Sequence, residues 1–148
     1  MKAEYRSATL EDAQALFELR RKSIIALAPK GMSVAQAEAW AVNLTIAGME
    51  RKIRELEIWI VERGGTVVGW GAIRGDQLEG LYMDPDFAGR GIGTELLGVL
   101  EALMRERGVV VVWAEASRNA EEFYLRRGYQ PSGPWTLDGV RPIRKPLA

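Results

Sequence analysis

The sequence predicts a layered α/β domain, a mixed sheet with helices on both faces. Three observations lead to that class. Glycine turns in the middle of the chain separate short β-patterned segments, as in antiparallel hairpins. A later stretch reads strand, glycine-rich loop, helix, strand, which is a crossover between parallel strands. The strand that closes this crossover, "VVVVWA" at 109–114, is apolar throughout and suits a position covered on both faces.

Each element follows from local pattern. "AEYRSA" at 3–8 is a short first strand. Thr9 and Asp12 have capping-box spacing, and Leu10, Ala13, Phe17 and Ile24 recur at helical intervals, so a first helix covers roughly 10–25. Ser33 and Gln36 repeat the capping pattern before "VAQAEAWAVN", which predicts a second helix continuing in pieces toward Arg54. "EIWIVE" (57–62) is a strand, "RGGT" a turn, and "VVGWGAIR" (67–74) the next strand. "GD" at 75–76 turns the chain again into "QLEGLYM" (77–83). Leu96, Leu100, Leu103 and Met104 mark one face of a helix that Gly108 stops. "RNAEEFYLRR" (118–127) is a shorter helix stopped by Gly128. "YQPSGPW" and "VRPIRKPL" flank "LDG" as a final hairpin, where Pro131, Pro134 and Pro142 mark irregular or edge strands. The order is β-α-α-β-β-β-α-β-α-β-β, about seven strands. With no repeat, low-complexity tract or linker, residues 1–148 are expected to form one domain.

Composition narrows the chemistry. The 148 residues are 47% hydrophobic and 27% charged with zero formal net charge, which argues against a general nucleic-acid or anionic-membrane binder. There is neither cysteine nor histidine. A disulfide framework, a cysteine nucleophile, a zinc site built on those ligands and a Ser-His-Asp triad are therefore excluded, and no metal centre is expected. Proton transfer falls to carboxylates, tyrosine, lysine, backbone or water. The first residues, "MKAEYRSATLEDAQ", lack the apolar core of a signal peptide, and the longest apolar run is too short to span a bilayer, so a cytoplasmic location is expected.

The crossover loop "DPDFAGRGIGTELL" (84–97) places three glycines before a helix. A helix start has N–H groups without intrahelical partners and carries partial positive charge. Glycines let an anion approach those groups, so Gly89, Gly91 and Gly93 suit a phosphate nest, with Arg90 adding charge. The same glycines also suit a plain tight turn. A P-loop would need Lys before Ser or Thr where this chain has Thr94-Glu95, and a dinucleotide fingerprint would need its third glycine one residue later.

The stretch "LYMDPDFAGRGIGTELL" resembles the cofactor motif of the GNAT superfamily of N-acetyltransferases. Met83 and Pro85 match the family's hydrophobic-x-Pro, and Gly91 and Gly93 its two small residues. Ala88 stands where the family pattern has Gln or Arg, which removes a side-chain contact and leaves the backbone donors untouched. A later stretch, "ASRNAEEFYLRRGYQ", looks like the family's second signature through Asn119, Ala120, Phe123, Tyr124, Gly128 and Tyr129. "MSVAQAEAWA" resembles the second helix of an uncharacterised bacterial subgroup. The resemblance covers nearly the whole chain and implies a mostly antiparallel GNAT sheet.

It also implies a mechanism. Acetyl-CoA would lie where the fourth and fifth strands splay, its pantetheine arm replacing a strand against the backbone of Leu81, Tyr82 and Met83. Its pyrophosphate would sit over Gly89, Arg90, Gly91, Ile92, Gly93 and Thr94, with Asn119 and Phe123 as further contacts. The Met83 N–H would face the thioester carbonyl. Tyr124 would be the general acid; otherwise it is a core tyrosine. Glu79, placed by strand alternation on the face of Leu81 and Met83, is a candidate base through water, and Glu115 is the other. An acceptor amine with a near-neutral pKa needs neither. Trp40 and Trp135 fall where the family places acceptor-site elements, and Trp59, Trp70 and Trp113 read as core or half-core. The expected partner is a small-molecule or protein amine, and a homodimer is compatible with the family. A non-catalytic acyl-CoA-binding or sensor domain of the same fold is the alternative.

Overall fold

Turn and crossover signals resolve into β1 (Ala3–Ser7), α1 (Ala13–Leu27), α2 (Ile46–Glu55), β2 (Glu57–Arg63), β3 (Thr66–Arg74), β4 (Gln77–Met83), α3 (Ile92–Glu106), β5 (Val111–Ser117), α4 (Glu121–Leu125), β6 (Gln130–Pro131) and β7 (Val140–Pro146). The computed structural model describes residues 2–27, 35 and 44–147. Ser33, Gln36 and Trp40 of the predicted second helix lie outside the described residues. The strands form one seven-stranded sheet in the order β1-β2-β3-β4-β5-β7-β6. Every pairing is antiparallel except β4 with β5, which the α3 crossover makes parallel.

The start of α1 forms as its capping pattern requires. Asp12 accepts a hydrogen bond from the Thr9 N–H at 2.8 Å. Arg6 on β1 clasps the same carboxylate at 2.9 and 2.8 Å, and these bonds hold the Asp12 carboxyl below the usual carboxylate range.

Helices cover both sheet faces. On one, Ala13, Leu16 and Leu19 of α1 and Met49 of α2 close over Ile58, Ile60, Trp70 and Ala72. On the other, Leu96, Leu97, Leu100 and Met104 of α3 close over Val68, Ile73, Leu78, Val112, Ala114 and Ile143. Among the described residues no helix is long and apolar enough to cross a membrane.

Two boundaries differ from the sequence expectation. The strand predicted at 109–114 runs instead over Val111–Ser117. The Val109 N–H returns to the Met104 carbonyl at 3.0 Å and closes α3, so the first two valines belong to the turn, and Val110 is 67% exposed. The strand also alternates: Val112, Ala114 and Ala116 face α3, while Trp113 and Glu115 face the other way. The helix predicted at 118–127 is regular only over Glu121–Leu125.

A buried polar cluster ties α3 to the last strand. Glu101 accepts from the Tyr129 hydroxyl at 2.7 Å and from Lys145 Nζ on β7 at 2.8 Å. Removing the carboxylate strands two donors in a largely closed site. Glu101→Ala is expected to cost about 2–4 kcal/mol in urea unfolding, with Glu101→Gln costing less because it keeps an acceptor. Equal, near-zero losses in both variants would show that the cluster adds nothing.

Candidate active site

The site begins with an interrupted strand pair. β4 and β5 pair only at Gln77↔Trp113 and Leu78↔Ala114. Beyond them β5 continues against β7 alone, and β4 against β3 alone. The register tells which β4 groups face the opening. The Asp84 N–H donates to the Val68 carbonyl at 2.8 Å, so residues 84 and 68 form a hydrogen-bonded pair. Antiparallel ladders alternate, so Tyr82 opposite Trp70 is also a hydrogen-bonded pair. Met83 opposite Gly69 and Leu81 opposite Gly71 are not; their N–H and C=O groups point away from β3, into the gap. Leu81 and Met83 therefore present their backbone to the gap. Tyr82 does not: its backbone is spent on β3 and its ring lies on the opposite face, 4.7 Å from the Trp70 ring centroid.

The glycine loop follows directly. The Asp84 carboxylate accepts from the Asp86 N–H at 2.9 Å, capping the single turn Pro85–Phe87. The same Asp84, with Asp86, pairs with Lys22 of α1 at 2.9 and 2.6 Å. Gly91 then caps α3 at φ +77°, a left-handed conformation that disfavours any side chain. No side chain fills the cap, so the first N–H groups of α3, at Ile92, Gly93 and Thr94, open toward the loop. Ile92 and Gly93 are buried while Thr94 is exposed. A Cβ on Gly93 would lie 3.2 Å from both Met83 Cε and the Phe123 ring, so this glycine lets α4 seat against α3 and β4. Gly89, Ala88 and Arg90 are exposed, and Arg90 lies over the Phe87 ring at 5.2 Å.

Sequence reasoning missed one cation here. Arg127 donates to Thr94 Oγ1 at 2.9 and 2.6 Å and to the Phe123 carbonyl at 2.7 Å, with its guanidinium 3.8 Å from the Phe123 ring centroid. It brings positive charge to the first turn of α3. The doubled arginine before Gly128 was visible, but the contact depends on how α4 folds back.

Tyr124 is buried, edge-on to Phe123 and Tyr129 with centroids 5.3 Å away in each case. Burial pushes its phenol above the ordinary tyrosine pKa, and the nearby Tyr82 phenol adds to the shift. Tyr82 and Tyr124 belong to opposite faces of the sheet and approach where it opens. Asn119 sits in the turn after β5, its side chain bonded to the Ser117 hydroxyl.

The placement of Glu79 corrects the alternation argument. Ala72 faces Gly80 and Ile73 faces Leu78, which leaves Glu79 as the extra residue of a bulge. The bulge turns its side chain away from the face of Leu81 and Met83. It pairs with Arg74 at 3.0 Å, and its charge reaches Lys52 of α2. Glu115 is exposed on the same α1-and-α2 side of the sheet. Both carboxylates thus stand on the sheet face opposite α3. Trp135 lies between Arg118 and Arg141, 4.4 and 4.8 Å from its ring centroid. Trp70 is buried, and Trp59 and Trp113 are half-buried.

Comparison with known proteins bears on this geometry. Residues 14–129 match the Acetyltransferase (GNAT) family. The chain belongs to that family. It is 31% identical over 142 residues to an amino-acid acetyltransferase of Azotobacter vinelandii, covering 92% of this chain but 29% of that protein. The chain thus spans under a third of the length of such relatives. It is 28% identical to the S-(2-succino)cysteine N-acetyltransferase of Bacillus subtilis, covering 93% of this chain and 90% of that one. Among solved structures, a GCN5-related N-acetyltransferase of Rhodopseudomonas palustris superposes with TM-score 0.90 at 28% identity, over 99% of this chain and 96% of that one. The PaiA N-acetyltransferase of Thermoplasma acidophilum, solved with coenzyme A, shares the fold at TM-score 0.83 and 21% identity, over 99% of both chains. The sheet order, mixed pairing and two-sided helix cover are those of the GNAT fold.

The buried phenol makes a direct prediction. Tyr124 stays protonated through about pH 11, where an ordinary tyrosine has ionised. Tyr124→Phe should leave the tyrosinate absorbance rise below that pH unchanged. Loss of one tyrosine's amplitude in that range would place the phenol in contact with bulk water.

Proposed function

We propose that the protein transfers the acetyl group of acetyl-CoA to a primary amine, by direct attack within a ternary complex. The observation that carries the reading is the β4/β5 opening, whose free edge at Leu81 and Met83 leads straight into the uncapped start of α3. An edge of that kind takes an extended amide-bearing arm as a substitute strand. The loop at 89–94 takes a diphosphate, with Arg90 and Arg127 as flanking cations. The residues therefore fit CoA even though Ala88 replaces the Gln or Arg of the family pattern. The family relatives named for amino-acid and S-(2-succino)cysteine N-acetylation, both amine acceptors, support the reaction class.

When bound, acetyl-CoA supplies a thioester carbon, at which the new C–N bond forms as the C–S bond breaks. The Met83 N–H, which points into the gap, would stabilise negative charge on the carbonyl oxygen. Tyr124 holds its proton at neutral pH and donates it toward the departing sulfur. The burial that raises the phenol also disfavours a bare thiolate in the same opening, which narrows the mismatch between donor and acceptor. Glu79 or Glu115 takes the proton from the amine through water, on the face opposite α3.

Two variants separate binding from chemistry. Gly91→Glu puts a strained, anionic side chain at the nest and should abolish acetyl-CoA binding in calorimetry while the circular dichroism spectrum is kept; NADH and ATP, as controls, should not bind the parent protein. Retained affinity would remove the loop from the cofactor site. Tyr124→Phe should lower kcat by roughly 10²–10⁴-fold with acetyl-CoA affinity little changed. An unaltered kcat would return Tyr124 to a packing role.

A further inference from the structure

The reaction centre has a neighbour that the acetyl-transfer mechanism does not use. Between α1 and α2 lies a cavity of about 310 Å³. Phe17 and Met49 form apolar parts of its wall, and among the described residues Arg20, Arg51 and Lys52 bring three cations to it against one carboxylate, Glu55. None of the three cations forms an ion pair with a described residue. Arg20 Nε is buried and, among the described residues, has no hydrogen-bond partner. A buried guanidinium N–H left in that state is costly and asks for an acceptor.

The cavity borders the opening. The Arg20 guanidinium lies over the Tyr82 ring, 5.3 Å from its centroid. Tyr82 sits between Leu81 and Met83, whose backbone faces the gap, and its phenol is felt at Tyr124. Its ring also leans back over Gly80, where a Cβ would lie 2.9 Å from Tyr82 Cε2. At the other end, Lys52 feels the charge of Glu79 across the bulge. One side chain thus joins the cationic cavity to the place where the amine must arrive.

We propose that this cavity holds a carboxylate of the acceptor, with Arg20 and Lys52 as its ion-pairing groups, so that the preferred acceptors are amino acids rather than simple amines. The proposal rests on the acetyl-transfer reading for the amine's role, and on the cavity's own charge for the carboxylate. A guanidinium fork grips a carboxylate through two parallel bonds, which fixes where the attached amine points. Lys52 is already less basic than a free lysine because burial, and secondarily Arg20, disfavour its charge; an incoming carboxylate relieves both. Glu55 and Glu79, the acidic groups facing Lys52, repel a second carboxylate at that end.

The test uses matched compounds: L-leucine, L-methionine and L-phenylalanine, each beside its α-carboxamide and its decarboxylated amine. Binding is titrated calorimetrically in the presence of CoA, and turnover is followed with acetyl-CoA. The free acids should bind and react, and the amides and amines should lose on the order of 10- to 100-fold in affinity, as expected for a charged hydrogen-bond pair. Arg20→Gln and Lys52→Gln should raise KM for the acids by a similar factor with kcat and acetyl-CoA affinity nearly unchanged, and Arg20→Lys should recover part of the loss. Amides and amines that bind as well as the acids, or acids whose KM ignores both variants, overturn the proposal. Acids that bind in an Arg20-dependent way without any turnover leave the carboxylate site standing and defeat the acetyl-transfer reading instead.

Discussion

A parallel strand pair that stops after two residues is the constraint on which the site depends. In a sheet, each backbone N–H and C=O pointing sideways needs a partner, and an interrupted pair leaves a row of them facing an opening. β4 and β5 part after their two paired positions, each keeping its other neighbour, β3 for β4 and β7 for β5. The remaining features are arranged around the opening: the start of α3, with no side-chain cap, follows the end of β4, the buried Tyr124 belongs to the α3 side, and Tyr82 to the α1 side.

Two devices keep that arrangement in place. The Glu101 cluster fixes α3 to β7 and to the segment after α4. Gly93 lets Phe123 and Met83 meet α3 at contact distance, which sets α4, and hence Tyr124, against the opening. The bulge at Glu79 serves the other face. By adding one residue to β4 it sends two consecutive positions to the α1-and-α2 side and moves a carboxylate off the face of Leu81 and Met83.

Much of this was legible in the sequence because it is local. Element order, hairpin turns, the glycine loop and its helix, and the edge role of Leu81 and Met83 follow from spacing and from the family pattern. What escaped was set by contacts between distant segments. The start of β5 depends on how α3 ends, and four consecutive valines hide that boundary. Strand alternation fails at Glu79 because a bulge is a property of two paired strands, visible only in register. Tyr82 appeared beside its neighbours as a cofactor contact, yet the ladder turns it to the other side. Arg20 and Arg127 matter through what they touch, Tyr82 in one case and Thr94 with Phe123 in the other, and nothing in their own surroundings in the chain marks them.

The pairing of Lys22 with Asp84 and Asp86 ties α1 to the loop that precedes α3. The helix that carries Arg20 at the cavity wall is the same one that braces this loop. A ligand of the loop and a ligand of the cavity would therefore share α1, and whatever factor one imposed on the other's affinity would be returned in full. The brace is a solvent-facing ion pair, and such pairs are weak and screened by salt. Coupling routed through it would be small and would fade with ionic strength.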